Sequence, residues 1–161
     1  MVAMMVLSAV LTAQAPSEHV RSGNPKVAQL FVDGMARSST FRALVDALNR
    51  SDVIVYVEAK TARQALGGYL THNVTVAGLY RYLHIAIDTH GASGRLVPLL
   101  AHELQHAIEV AQDQNARDER TLQQLFERLA INFGCGGTTC LETQAAKDVE
   151  GLVLTELKTA R

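Results

Sequence analysis

The run His102-Glu103-Leu104-Gln105-His106 contains residue types whose spacing could bind a metal ion and use it. On an α-helix, positions i and i+4 lie on one face, so the rings of His102 and His106 can reach a single ion. Glu103 lies about 100° round the helix from His102, close enough to contact a water molecule at the ion without being a ligand. This H-E-x-x-H pattern is typical of zinc hydrolases, although a surface helix can also match five residues by chance.

The residues around the motif predict an amphipathic helix over residues 94–112. Its apolar positions recur at helical spacing: they are Leu100, Leu104, Ala107, Ile108 and Ala111. By the same periodicity, His102 and His106 point away from this apolar stripe. Pro98 is compatible with the helix because it falls near the first turn. We therefore expect a helix that packs on a core on one side and opens to a cleft on the other, which favours a metal site over chance.

Length and composition indicate one globular domain. The chain has 161 residues, 48% of them hydrophobic and 19% charged, with a formal net charge of −1. This length is enough for one domain with a real core and too short for two ordinary ones. The near-neutral charge gives no reason to expect a nucleic-acid partner.

The N-terminus resembles a signal peptide. An apolar run over residues 1–11 is too short to cross a bilayer, and Ala13-Gln14-Ala15 is a small-x-small cleavage pattern. We expect residues 1–15 to be removed by cleavage near Ala15, which leaves one domain over residues 16–161 with no stable membrane insertion. The protein would then be secreted or periplasmic. A frayed hydrophobic N-terminus or a misassigned start codon is the alternative.

Two cysteines, Cys135 and Cys140, flank a glycine-rich stretch. In an exported protein a structural disulfide between them is the expectation, whereas in a reducing compartment they would be free thiols or spare metal ligands.

Other elements follow from periodicity and residue type. Helices are predicted over residues 25–37 and 40–49, the second capped by Ser38 or Ser39. A further helix with apolar positions 122–133 ends at Gly134, and the last helix spans residues 141–158. Strands are predicted over residues 53–57, 70–76 and 81–87.

A catalytic zinc ion usually has three protein ligands. The pattern that continues the motif with a third histidine is absent, because Glu109 occupies the position of its glycine. Glu142 is the candidate third ligand, since it lies at the head of the apolar stripe of the last helix and a buried carboxylate needs a partner. Two alternatives stay open. Thr139 and Glu142 fit a capping box that needs no metal, and Glu150 is a reserve ligand. Glu109 is a candidate for holding a ligand histidine by a hydrogen bond.

With the H-E-x-x-H helix followed by Glu142, the chain resembles the gluzincin (thermolysin-like) zinc metallopeptidases in a minimal, single-domain form. The resemblance covers residues 50–158. It implies an α+β, zincin-like fold: a short, mostly antiparallel sheet packed on the motif helix and on a C-terminal helix that supplies the glutamate. The chain departs from the family at Ala146, where an aspartate usually orients a ligand histidine. Gln144 or Asp148 could replace it.

The resemblance implies a zinc-dependent peptidase that acts on polypeptide substrates, and the N-terminal segment predicts that it is exported. His102, His106 and Glu142 would bind Zn²⁺, and a metal-activated water would attack the peptide bond with Glu103 as general acid/base. The strand over residues 81–87 would be the counterpart of the edge strand that pairs with substrate. His84, Tyr82 and His72 are candidates for the donor that stabilises the transition state. The alternative is a non-catalytic exported zinc-binding or interaction module.

Overall fold

The structure, a computed structural model, describes residues 19–60, 67–90, 92–131, 134–135, 138–139 and 142–160. The helices are α1 (Pro25–Arg37), α2 (Ser39–Asn49), α3 (Ser93–Gln112), α4 (Glu119–Leu129) and α5 (Gln144–Thr159). The strands are β1 (Val20–Arg21), β2 (Val53–Lys60), β3 (Gly68–Leu70), β4 (Thr75–Ala77), β5 (Tyr80–Asp88), β6 (Gly134–Cys135) and β7 (Thr138–Thr139). The expected signal peptide lies outside the described residues.

The main sheet has five strands in the order β1-β2-β5-β3, and β4 pairs with β5 as well. The α+β class is confirmed, but the expectation of a mostly antiparallel sheet is wrong. β1 and β5 both run parallel to β2, whereas β3 and β4 run antiparallel to β5. The parallel pair β1–β2 arises because α1 and α2 lie between them in the chain and provide the crossover that parallel strands need.

Side chains alternate between the two faces of the sheet. Val55, Leu83 and Ile85 belong to the core, which the helices share, and each of the three is fully buried. Tyr56 and Tyr82 lie on the opposite face, where their rings stack with centroids 6.4 Å apart. Because a strand has a period of two residues, this alternation places α3 against one face only.

Arg81 fixes the C-terminal end of α3 against the sheet. Its side chain is fully buried, pairs with Asp52 at 2.7 Å and donates to the carbonyls of Val110, Asp113 and Ala116. Backbone carbonyls at a helix C-terminus have no partner within the helix, and a cation there is favoured by the helix dipole. The hydrogen bond from Arg81 is the main cause that lowers the pKa of Asp52. Arg81 therefore holds the C-terminal end of α3, the helix of the H-E-x-x-H motif, against the sheet.

Several helix and strand boundaries differ from those predicted from the sequence. The strand expected over residues 70–76 divides into β3 and β4, and the helix expected to reach Gly134 ends at Leu129. That helix stops because Ala130 bridges to Thr143 and the N–H of Ile131 donates to the carbonyl of Glu142 at 2.9 Å.

Cys135 lies in β6 and pairs across the hairpin with Thr138. Cys140 lies outside the described residues, and so does the expected disulfide. Among the helices described, none has the length and apolar character needed to cross a membrane.

Candidate metal centre

The middle of α3 presents His102, Glu103 and His106 in a buried position. Their exposed fractions are 5%, 4% and 6%, and the two imidazole rings lie edge to face with centroids 4.9 Å apart. The expectation that this face opens to a cleft is therefore wrong for the side chains on α3. α5 packs along α3. The ring of Phe126 of α4 lies edge to face against the ring of His106, with ring centroids 5.3 Å apart. Polar groups this deeply buried need partners.

Glu142 reaches the two histidines from the chain just before α5. Its Oε2 lies 3.4 Å from Nε2 of His102, and one ligand atom from each of His102, His106 and Glu142 lies within 4.8 Å of the others. The capping-box alternative is not formed, because the N-cap of α5 is Thr143, whose side chain accepts from the N–H of Ala146. Glu142 precedes the helix and is free to face the histidines.

Two carboxylates hold the far side of the imidazole rings. Nδ1 of His102 contacts Oε2 of Glu150 at 3.1 Å, and Nδ1 of His106 contacts Oε2 of Glu109 at 2.8 Å. A carboxylate only accepts, so the proton on each Nδ1 faces a carboxylate, and a metal ion would take the place of any proton on Nε2. Carboxylates in this position fix the orientation and tautomer of metal-binding histidines. The expected role of Glu109 fits this geometry, whereas Glu150 orients His102 rather than serving as a reserve ligand.

Glu150 provides the contact to His102 for which the sequence suggested Gln144 or Asp148. Gln144 and Asp148, the sequence candidates for that role, instead hydrogen-bond to each other at the surface, 2.7 Å apart. No local pattern identifies Glu150 for this contact, because Glu142 lies before α5 and the approach of Glu150 to His102 depends on how α5 packs on α3.

The pKa values of Glu103, Glu142 and His102 are shifted by different causes. Burial raises the pKa of Glu103 to about 6, against the lowering effect of the two histidines and a hydrogen bond from the backbone of Leu70. The hydrogen bond with His102 lowers the pKa of Glu142 despite partial burial. Burial lowers the pKa of His102, but the hydrogen bond with Glu142 and the neighbouring carboxylates outweigh it, so the net direction is upward. Two histidines facing a surplus of carboxylates form a site suited to a cation.

The edge strand beside the centre is β3, not the strand predicted over residues 81–87. β5 is internal, because β2 pairs with one side of it and β3 and β4 pair with the other. A Cβ atom added to Gly68 of β3 would lie 3.3 Å from Oε1 of Glu103 and 2.8 Å from Cδ1 of Ile87. Glycine at this position therefore lets the backbone of β3 run directly against Glu103. No other strand of the described residues pairs with the outer edge of β3.

Two of the three candidates for the transition-state donor lie away from the centre. Tyr82 and His84 stand on the sheet face opposite α3, where both stack on Tyr56 and where His84 contacts Glu58 at 3.4 Å. His72 is exposed two residues after β3 and stays a candidate.

The donor set fits a zinc ion. Zinc accepts imidazole nitrogen and carboxylate oxygen with bonds of about 2.0–2.2 Å, which places tetrahedral ligand atoms about 3.3–3.5 Å apart. The separation between His102 and Glu142 is 3.4 Å, and the ligand atoms of all three residues lie within 4.8 Å of one another, so the group could hold a metal ion after small adjustments. Three protein ligands leave a fourth position, the arrangement of catalytic rather than structural zinc sites.

Comparisons of the chain with protein-family models, curated proteins and solved structures give no match.

Proposed function

We propose that this chain is a zinc-dependent peptidase of the gluzincin type, with His102, His106 and Glu142 as metal ligands and Glu103 as general acid/base. One observation carries the proposal: three potential ligands converge, both histidines are oriented by carboxylates, and a buried glutamate lies beside them. A core built for stability alone would place apolar side chains there, because buried carboxylates are costly.

In the proposed reaction the metal ion and the side chain of Glu103 would have different roles. A zinc ion, when bound, would polarise the scissile carbonyl and make a water molecule more acidic. Glu103, whose pKa burial raises to about 6, is matched to accept a proton from that water near neutral pH and to return it to the leaving amine. The backbone N–H of Leu70 holds the carboxylate of Glu103 on the side of β3.

The substrate in this proposal is an extended polypeptide that adds beside Gly68 at the outer edge of β3, with which no other described strand pairs. Backbone hydrogen bonds to an exposed strand edge bind extended peptides with little dependence on side chains. Because β3 passes against Glu103 at Gly68, a peptide paired there would lie next to the general base.

Replacing Glu103 with Gln tests the function directly. The substitution keeps the shape but removes the proton acceptor, so turnover should fall by about 10²-fold or more while zinc stays bound. The assay is cleavage of a broad pool of denatured proteins, followed by mass spectrometry, alongside zinc stoichiometry. Glu58→Gln, an exposed glutamate on the opposite sheet face, is the matched control and should retain activity. Equal cleavage by Glu103→Gln would exclude the proposed role.

A non-catalytic zinc-binding module is the second candidate, favoured by the burial of Glu103, which is only 4% exposed. The site opens mainly on the side of Glu142 and Glu150, whose side chains are 26% and 31% exposed. Zinc-loaded wild-type protein that cleaves no member of the substrate pool would establish this second function over the first.

We propose further that the protein is exported, to the periplasm or the medium, after cleavage near Ala15. The support is the apolar run over residues 1–11 followed by Ala13-Gln14-Ala15. Intact-mass analysis of protein from its native host should show a mature chain that begins near Pro16. Retention of residues 1–15 would contradict this.

A further inference from the structure

Glu109 forms a bridge between one metal-ligand histidine and the start of α5. Its Oε2 contacts Nδ1 of His106 at 2.8 Å, and its Oε1 accepts from the hydroxyl of Thr143 at 2.6 Å. Glu109 is 6% exposed and Thr143 is 2% exposed, so water competes little with either contact. Both oxygens of one buried carboxylate are thus committed to two different parts of the chain.

Thr143 is the residue directly after the proposed ligand Glu142, and it determines where α5 begins. Its hydroxyl oxygen accepts from the N–H of Ala146 at 3.2 Å, which makes it the N-cap, while its hydroxyl proton goes to Glu109. The isolated β-bridge between Ala130 and Thr143 holds the backbone at the same point. A hydroxyl can donate once and accept as well, so one side chain performs both tasks.

We propose that Thr143 is a positioning residue for the metal site, because it ties the third ligand to His106 through Glu109. His102 and His106 sit on one rigid helix, but Glu142 arrives from a different segment. The link from Thr143 to Glu109 sets the position of α5 relative to α3 and thereby brings Glu142 to the histidines before the ion binds. A site arranged in advance binds its ligand more tightly because less ordering remains to be done.

The competing explanation is that Thr143 acts only as a helix cap. Loss of a cap lowers stability wherever the helix lies and has no specific effect on a metal site. The positioning role predicts an effect on metal affinity that a cap elsewhere does not reproduce. The inference rests on the metal site of the proposed function and does not depend on peptidase activity.

The test compares four variants of the full chain by their affinity for Zn²⁺, measured by competition with a chelator, and by the absorption spectrum of bound Co²⁺. Thr143→Val keeps the shape and removes the hydroxyl that holds Glu109, so affinity should fall about 10-fold, the lower end of the usual loss when the outer partner of a ligand is removed outright. The Co²⁺ spectrum should change with it. Thr143→Ser keeps the hydroxyl and should restore both.

Asp118→Ala is the matched control, because Asp118 caps α4 through the N–H of Thr121 and takes no part in the centre. It should lose stability and keep wild-type metal affinity. Glu109→Leu removes both acceptor oxygens, leaves the cap of α5 in place and is the variant to use if Thr143→Val fails to fold. This variant should weaken metal binding and speed hydrogen exchange at the first turn of α5.

The outcomes separate the inference from the function it rests on. If the wild type binds Zn²⁺ and Thr143→Val binds it equally well, the positioning role is wrong and the metal site stands. Equal losses of affinity in Asp118→Ala and Thr143→Val, or unchanged exchange at α5 in Glu109→Leu, would also overturn it. A wild type that binds no metal would overturn both.

Discussion

Three glutamates surround the two histidines, and each contacts a different atom. Glu142 faces Nε2 of His102, whereas Glu150 and Glu109 each contact an Nδ1. The ring atom that a carboxylate contacts decides its role, since a carboxylate on the metal side can ligate and one on the far side can only orient. We therefore expect Glu142 and Glu150 to differ in function, although both are glutamates of the same region and contact the same ring.

This difference predicts unequal losses of metal binding. Glu150→Gln removes only an orienting charge, so zinc affinity should fall about 10–100-fold. Glu142→Ala removes a proposed ligand, so zinc affinity should fall by considerably more. Zinc affinity measured by chelator competition at fixed pH checks the order. Asp148→Asn, an exposed carboxylate of α5 that contacts only its own helix neighbour in the described structure, is the control and should bind normally. If Glu150→Gln loses more metal than Glu142→Ala, the assignment of the ligand is wrong.

The site was predictable from sequence to the extent that helical geometry defines it. The spacing of His102 and His106 within one helix places both rings together, whatever the rest of the chain does. Glu142 could be named because two histidines need a further ligand. The contacts of Glu150 and of Thr143 could not, since they depend on how α5 lies against α3, which no local pattern in the sequence specifies.

At the scale of elements, α5 is held at its far end as well as at Thr143. The carboxylate of Glu156 accepts from the hydroxyls of Ser38, Ser39 and Thr40 and from the N–H of Thr40 at the start of α2. Carboxylates are favoured at a helix N-terminus. Burial raises the pKa of Glu156, but these hydrogen bonds outweigh it and bring the pKa to about 2.

Glu156→Gln should therefore destabilise the fold in a pH-dependent way. The folded pKa of about 2 lies below the ordinary 4.5, so the ionised form is favoured by the fold. Its contribution is complete above pH 4.5 and is lost as the pH falls towards 2. We expect a loss of about 1 kcal/mol at pH 7, at the low end for hydrogen bonds to a charged group because the site is partly exposed. Urea unfolding of both proteins from pH 7 to pH 2 measures the difference.

Glu127→Gln is the control for this experiment. Glu127 is exposed on α4 and accepts from Gln123 one turn away on its own helix. Its effect on stability should be small at every pH, and a difference for Glu156→Gln that persists unchanged at pH 2 would contradict the role of the charge.

The elements themselves were partly predictable. α1 begins and ends where the sequence indicated, because Pro25 suits the first turn and Asn24 caps it. β1 was missed, since a strand of two residues has no periodicity of its own and depends on pairing with Val55. The direction of the strands could not be predicted from the sequence either. Alternation of side chains indicates a strand, but not whether its neighbour runs parallel or antiparallel.

For the molecule as a whole, the buried polar side chains of α3 are the unusual feature. His102, Glu103, His106 and Glu109 are all at least nine-tenths buried, on the same helix as the fully buried Leu100 and Leu104. A metal ion would compensate much of the cost of burying these carboxylates, because it supplies positive charge in a region of low dielectric. The stability of the fold should then depend on the ion.

We therefore predict that zinc stabilises the whole protein against heat. An ion that binds the folded form and not the unfolded form adds about 2.7 kcal/mol when its free concentration is 100 times Kd. For a chain of this size that corresponds to a rise in Tm of about 5–10 °C. The measurement is thermal unfolding in EDTA and then at a buffered free Zn²⁺ concentration. Mg²⁺, which prefers six oxygen ligands, should give no rise, and Glu142→Ala should show a much smaller one. An identical Tm with EDTA and with saturating Zn²⁺ would show that these buried groups form no metal site, because tight binding to the folded state must raise its stability.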